Sequence, residues 1–88
     1  MINNRRSELE IINEILNISI KGARKTEILY RGNMSYSQLR SYLPLLIDKD
    51  IIEKYNLSNN GNTTTMYKTT IKGLELLNNI RRIFVNFK

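Results

Sequence analysis

The sequence contains neither cysteine nor histidine. The first absence excludes disulfides and thiolate metal ligands, and the second removes the commonest general base of enzyme active sites. No glycine-rich loop that could hold a phosphate is present. Glu10 and Glu14 lie one helical turn apart, but a solvated helix face explains them better than a catalytic pair. We therefore expect no enzymatic activity, no bound metal and no cofactor.

Long apolar runs are also missing. No stretch approaches the roughly 18 apolar residues that a membrane-spanning helix needs. The basic residues near the start are not followed by the apolar segment of a signal peptide. We expect a cytoplasmic protein without membrane contacts. The 88 residues, 41% hydrophobic and 25% charged, suit one folded domain over residues 1–88.

Acidic residues are few relative to basic ones. The chain has 14 Lys and Arg residues and eight Asp and Glu residues, which gives a net charge of +6 and a pI near 9.8. A basic balance favours a polyanionic partner such as nucleic acid. Charge alone does not identify that partner, because many basic proteins bind no polyanion.

Apolar periodicity and capping signals predict two helices in the first third of the chain. The first covers about residues 7–18, where Ser7 and Glu10 have the spacing of a capping box. The second covers about residues 24–31. It should end at Gly32-Asn33, because both residue types accept left-handed backbone angles.

The remaining pattern predicts a third helix, a hairpin and a fourth helix. Ser35, with Gln38 three residues on, should cap a helix over about residues 35–49. Ile-, Tyr- and Thr-rich segments at 51–57 and 64–70 flank Asn-Gly at 60–61, which predicts a hairpin with a flexible tip at 58–65. Thr70 should cap the last helix, from 71 to about 87. A short extended piece near 19–21 is the expected third partner of the hairpin.

The order helix, helix, helix, hairpin, helix defines the expected fold class. It is α+β, mostly α, and corresponds to a winged helix-turn-helix. If Leu39, Leu43 and Leu46 pack inward, the opposite face of the third helix points outward. Arginine can donate two hydrogen bonds to guanine and glutamine can pair with adenine, while serine and tyrosine can reach phosphates. The candidate DNA-contacting residues of this helix are Tyr36, Ser37, Gln38, Arg40 and Ser41.

Other candidate DNA contacts lie outside the third helix. Cations at the start of a helix oppose its dipole, so phosphate contacts are a better explanation for them than capping. The candidates at helix starts are Arg5, Arg6, Arg24, Lys25 and Thr26. The candidates on the hairpin are Lys54, Asn60, Asn62 and Lys68. The alternatives are a fraying N-terminus, a solvated turn and an ordinary polar helix face.

The last helix carries more apolar residues than a small core needs. Exposed apolar patches usually mark an interface, which favours a homodimer through the helix at 71–88. Two DNA-contacting helices would then meet half-sites about 34 Å apart. The alternative is that these side chains fold back onto the first helix. The candidate interface residues are Leu77, Ile80, Ile83, Phe84 and Phe87.

The stretch from residue 22 to residue 43 resembles archaeal winged-helix DNA-binding proteins. This family includes small basic Sulfolobus chromatin-type proteins and regulators of archaeal chromosomes, plasmids and viruses. The resemblance rests on the motifs Lys25-Thr26, Ile28-Leu29-Tyr30, Ser35-Tyr36 and Gln38-Leu39 followed by Tyr42-Leu43. It implies double-stranded DNA binding and, from the chromatin-type members, dimerisation through the last helix.

Together these features predict a homodimeric transcriptional regulator that binds double-stranded DNA. The helix at 35–49 would enter the major groove, and the hairpin tip at 58–65 would contact the backbone or minor groove. One alternative is a weakly specific architectural DNA-binding protein. Another is a winged-helix protein-interaction module, since fold does not fix function. No small-molecule ligand is expected, because so short a chain leaves little room for a sensing pocket.

Overall fold

The computed structural model describes residues 7–86. Four helices and one antiparallel hairpin follow in the predicted order. The elements are α1 (Glu8–Ile18), α2 (Lys25–Gly32), α3 (Tyr36–Asp48), β1 (Ile52–Asn59), β2 (Asn62–Thr69) and α4 (Ile71–Asn86). Within this part of the chain, no helix combines the length and apolar character that crossing a bilayer requires.

Reciprocal capping boxes fix the starts of α1 and α3. The Ser7 amide donates to Oε1 of Glu10 at 3.1 Å, and the Glu10 amide donates back to the Ser7 hydroxyl at 3.2 Å. Ser35 and Gln38 repeat this exchange at 3.0 Å in both directions. Each box satisfies two amides that would otherwise lack a partner in the first turn. Both predicted caps are confirmed.

The turn between α2 and α3 depends on Asn33 rather than on Gly32. Asn33 adopts the left-handed conformation, with φ of 49°, and its amide closes the end of α2. Gly32 is the last helical residue and is buried. A Cβ built on it would meet the terminal methyl of Met34, a flexible side chain that would have to shift. Asp50, with φ of 61°, takes the left-handed conformation after α3.

The hairpin pairs along its whole length, from Ile52 opposite Thr69 to Asn59 opposite Asn62. Its turn consists of Asn60 and Gly61, with φ of 52° and 82°, which is the two-residue geometry that matches strand twist. The predicted flexible tip at 58–65 is therefore wrong, because all of it except the two turn residues is paired. The Ser, Asn and Thr residues of this segment suggested a loop. In the structure, cross-strand pairing between β1 and β2 continues through these residues up to the turn.

A single bridge residue adds the third partner of the hairpin. Ala23 and Tyr67 exchange both backbone hydrogen bonds at 2.8 Å. The extended piece predicted at 19–21 is wrong, since residues 19–22 form a turn after α1 in which Gly22 has φ of 96°. Thr69 supports the same junction, because its hydroxyl donates to the buried Leu16 carbonyl at 2.7 Å. The hairpin is thereby fixed to the end of α1.

The start of α4 is tied to the end of α3. Thr70 caps α4 by accepting from the Gly73 amide at 3.0 Å. The same hydroxyl has one proton to donate, and two carbonyl oxygens lie within reach of it. They belong to Asp50, at 2.7 Å, and to Ile51, at 3.1 Å. A Cβ on Gly73 would collide with the Ile51 carbonyl, so the glycine permits this close approach. The predicted cap at Thr70 is confirmed.

The core lies between α1 and the other helices, and α4 completes it. Leu77 and Ile80 are only 2% and 1% exposed within the single chain. Their assignment to a dimer interface is wrong, because the single chain already buries both side chains on α4, which packs mainly on α1. Arg81 supports the contact by donating to Oδ1 of Asn17 at 2.6 Å. Periodicity located the apolar face of α4 but not the surface that covers it.

Candidate nucleic-acid interface

A groove of about 360 Å³ runs between α3 and the hairpin. We call it the α3–hairpin groove. Its apolar lining is supplied mainly by one face of α3, and the hairpin contributes Tyr67 from β2. Leu39, Leu43 and Tyr67 are buried and form the floor, while Pro44 and Ile47 are more exposed. The helix continues through Pro44 to Asp48, so the proline becomes part of the groove wall.

Cations from three different elements surround this groove. Lys25 comes from the first turn of α2, Arg40 from α3 and Lys54 from β1. Among residues 7–86, neither lysine has an ion-pair partner. The one acidic residue in the lining is Asp48, at the C-terminal end of α3. The α3–hairpin groove therefore presents unneutralised positive charge on several sides.

Tyr36 and Arg40 form a stacked pair on the exposed face of α3. The guanidinium carbon of Arg40 lies 4.8 Å from the centroid of the Tyr36 ring. The two residues are four positions apart, so the helix itself brings them together. The ring attracts the cation and restricts its rotamers. This arrangement leaves the side chain of Arg40 exposed at the groove, beside Lys25 and Lys54.

The other predicted α3 contacts are less free than the sequence suggested. Gln38 is half-buried, and its Oε1 accepts the Ser35 amide. The adenine contact predicted for Gln38 would use the same oxygen, which keeps a second lone pair, so the capping box restricts the orientation of this side chain and the contact stays a prediction. Ser41 donates its hydroxyl to the Ser37 carbonyl at 3.0 Å, which leaves lone pairs but no free proton. Ser37 and Ser41 are both exposed.

Arg24 has a structural role at the start of α2. Its amide donates to Oε1 of Glu27 at 2.9 Å, and its guanidinium pairs with the same oxygen at 3.3 Å. These backbone and side-chain hydrogen bonds hold the pKa of the Glu27 carboxyl below its usual 4.5. The side chain of Arg24 makes no capping hydrogen bond, and its ion pair with Glu27 is exposed, so the phosphate contact predicted for Arg24 stays a prediction. Thr26 lies exposed in the same turn and is not among the residues that line the groove.

The hairpin separates the two lysines that were predicted to act together. Strand alternation places Lys54, opposite Tyr67, on the face that borders the α3–hairpin groove. Lys68 pairs with Glu53 on the other face. Asn60 and Asn62 are exposed at the far end. The structure thus places Lys54 on the groove that Arg40 also lines, and Lys68 on the opposite face of the hairpin.

This architecture has a counterpart among known families. A family model described as winged helix-turn-helix matches residues 5–87. The chain belongs to the winged helix-turn-helix family. The predicted α+β, mostly α, winged fold is confirmed. In the winged-helix nomenclature, α3 is the recognition helix and the hairpin is the wing.

One relative of this chain comes from an archaeon. The winged-helix chain is 33% identical over 81 residues to the uncharacterized protein MJ0290 of the archaeon Methanocaldococcus jannaschii, an alignment that covers 91% of this chain and 35% of that protein. The chain therefore spans well under half of that relative. The predicted resemblance to archaeal winged-helix proteins is confirmed.

Two solved structures share the fold at low sequence identity. Sso10a-2, a DNA-binding protein from Sulfolobus solfataricus, superposes with a TM-score of 0.75 at 22% identity, covering 90% of this chain and 79% of its own. The protein smu.1704 from Streptococcus mutans UA159 gives a TM-score of 0.84 at 20% identity, with coverages of 98% and 86%. At these identities the likeness concerns the winged-helix fold.

The far end of α4 retains some exposed apolar surface in this winged-helix domain. Ile83 is 42% exposed and Val85 68% exposed, while Phe84 is half-buried.

Three of the predicted site residues lie outside the described residues: Arg5 and Arg6, predicted to contact DNA, and Phe87, predicted to lie at the dimer interface. Sequence reasoning missed the apolar floor of the α3–hairpin groove, because α3 and β2 supply it together. The signal in the sequence that could have revealed this floor was the pairing register of the hairpin. The two-residue turn at 60–61 sets that register and places Tyr67 opposite Lys54.

Proposed function

We propose that this protein is a transcriptional regulator that binds double-stranded DNA through α3 and the adjoining face of the wing. The first half of α3 enters the major groove, and Arg40 contacts base edges. Lys25 and Lys54 contact phosphates on either side. Sso10a-2, which shares the fold, is a DNA-binding protein. That likeness supports the proposal.

The observation that carries the proposal is the convergence of Lys25, Arg40 and Lys54 on one groove. The three side chains come from α2, α3 and β1, and sequence separation gives no reason for them to meet. Grouping like charges raises the energy of the folded protein unless an anion offsets the repulsion. A DNA backbone supplies closely spaced phosphates to such a surface.

Duplex binding at several salt concentrations tests this proposal. Fluorescence anisotropy with a labelled duplex should show log Kd rising linearly with log salt, by about 0.9 for each phosphate contact. Lys54→Gln should lower that slope by about 0.9. Lys68→Gln removes the same charge from the opposite face of the wing and should leave the slope unchanged. Absence of duplex binding at low salt, or equal effects of both variants, would contradict the proposed interface.

The same assay separates a sequence-specific regulator from an architectural protein. A regulator binds its own site typically 10³- to 10⁷-fold more tightly than other DNA. Selection from a random duplex library, followed by titration of the enriched and scrambled sequences, measures this ratio. We expect an enriched site that contains guanine opposite Arg40. Equal affinity for both sequences would support weakly specific coating of DNA.

We further propose that the regulator acts as a homodimer through the end of α4. Ile83 and Val85 are exposed beyond the point where Ile80 completes the core, and solvent-exposed aliphatic side chains are costly unless covered. A symmetric contact between two α4 helices through the face that carries Ile83 would bury this side chain, whereas Val85, two positions on, lies on a different face of the helix. The dimer would present two copies of α3 to one duplex.

Light scattering after gel filtration tests the dimer. Ile83→Glu should shift a dimeric species to the monomer mass. Ile71→Glu is the matched control, because Ile71 is also exposed on α4 but lies at the opposite end. A monomer for the unchanged protein at high micromolar concentration would refute the dimer, and so would dissociation by both variants alike.

A further inference from the structure

We propose that the α3–hairpin groove is also a ligand site for a small amphipathic anion, an aromatic or branched carboxylate, and that this ligand and DNA exclude each other. The exclusion rests on the proposed function, whereas the ligand site rests on the groove itself. Its volume of about 360 Å³ falls within the ~300–1,000 Å³ typical of small-molecule sites.

The exposed apolar wall of the groove is the feature that phosphate contacts do not explain. Leu43 and Tyr67 border this space from the core, where they are only 3% and 5% exposed. Pro44 and Ile47 line the same space, and they are more exposed than the core requires. A ~150 Å³ apolar cavity already accepts benzene. A groove of this size therefore accommodates an apolar body of one or two rings.

The charges along the groove give the ligand an orientation. Arg40 and Asp48 both line it, and they lie eight residues apart on α3, which corresponds to about 12 Å along the helix axis. A carboxylate is attracted to the Arg40 end and repelled from the Asp48 end. The apolar body then lies over Leu43 and Ile47, which occupy α3 between these charges.

The cations can provide hydrogen bonds as well as a favourable potential. Within residues 7–86, Lys25 and Lys54 have no acidic partner, so their ammonium groups remain available to a bound anion. Hydrogen bonds between charged donors and carboxylates are shorter and stronger than neutral ones. A neutral ligand of the same shape forfeits these contacts, so the site discriminates by charge as well as by shape.

The same side chains serve both partners. A ligand carboxylate near Arg40 and Lys54 occupies the donors that DNA would use, and its body fills the space beside α3. Binding is therefore mutually exclusive, and each partner raises the apparent Kd of the other by the factor 1 + [L]/Kd. At a ligand concentration ten times its Kd, duplex affinity falls about 11-fold.

Titration with 2-naphthoate tests the site directly. We expect saturable one-to-one binding by calorimetry, with NMR shifts centred on the methyl groups of Leu43 and Ile47. The neutral 2-naphthamide should bind at least about tenfold more weakly. Lys54→Gln should weaken naphthoate binding, and Lys68→Gln should not. Both lysines are exposed, so neither change threatens folding, which circular dichroism checks.

The outcomes separate this proposal from the proposed function. Failure of naphthoate to saturate at millimolar concentration, or equal binding of the amide, would overturn the ligand site even if DNA binds. Unchanged duplex affinity at saturating naphthoate would overturn the exclusion. Naphthoate binding by a chain that binds no duplex would support the site while refuting the DNA-binding function.

Discussion

Replacing Tyr36 tests whether this ring positions Arg40 for base contact. The guanidinium lies 4.8 Å from the ring centroid, and Tyr36 is about half exposed. A cation–π pair at an exposed site contributes about 0.5–1 kcal/mol. That contribution offsets part of the rotamer entropy that an arginine loses on binding, about 2 kcal/mol at most. Tyr36→Ala should therefore weaken specific binding about 2- to 5-fold.

A double-mutant cycle distinguishes positioning from direct contact. Arg40→Ala removes a possible two-point guanine contact, worth about 1–3 kcal/mol, and should weaken specific binding about 5- to 150-fold. If Tyr36 acts through Arg40, Tyr36→Ala should have no effect in the Arg40→Ala background. Tyr36→Phe keeps the ring and should match the unchanged protein. Anisotropy titrations with the selected and scrambled duplexes provide every value in the cycle.

Three results would refute this reasoning. Additive effects in the double variant would mean that Tyr36 contacts DNA independently of Arg40. Equal weakening of all sequences by Tyr36→Phe would assign the hydroxyl to a phosphate, the role first predicted for this tyrosine. Tighter binding by Tyr36→Ala would show that the ring holds the guanidinium away from the duplex.

Further predictions concern stability and pH. Thr69→Val leaves a buried carbonyl of α1 without its donor and should cost about 1–3 kcal/mol, at least about 4 °C in Tm, whereas the exposed Thr63→Val should leave Tm nearly unchanged. Gly73→Ala should lower stability by about 1–3 kcal/mol in urea unfolding, because its methyl meets the backbone before β1; unchanged stability would disprove that contact. The Glu27 carboxyl should titrate below 4.5 by NMR, so its stabilisation of α2 is complete above its unfolded pKa and is lost as pH falls through the lowered folded pKa. A midpoint at or above 4.5 would mean that the hydrogen bonds from Arg24 are weak in solution.

Local signals in the sequence predicted local structure well. The capping serines at 7 and 35 and the threonine at 70 were found because a helix cap involves residues within one turn of each other. The Asn-Gly pair at 60–61 located the hairpin turn for the same reason. The length of the tip was wrong, because composition favours a loop while pairing with the opposite strand decides the outcome.

Features that depend on distant residues were not predictable in this way. The apolar stripe of α4 was visible, but the sequence does not say that Leu77 and Ile80 are buried within one chain and not against a second chain. Arg40 was identified from the helical face, whereas its grouping with Lys25 and Lys54 required three elements to pack. The α3–hairpin groove was missed because its floor combines side chains of α3 and β2.

The hydroxyl of Thr70 joins two helices that the proposed function uses for different tasks. It accepts the Gly73 amide in α4 and donates to the backbone just after α3. These hydrogen bonds tie the start of α4, the helix proposed for dimerisation, to the end of α3. In a homodimer, the separation of the two copies of α3 would be fixed by the angle at which the α4 helices cross. A substitution in that crossing would change the preferred half-site spacing without touching any DNA-contacting residue.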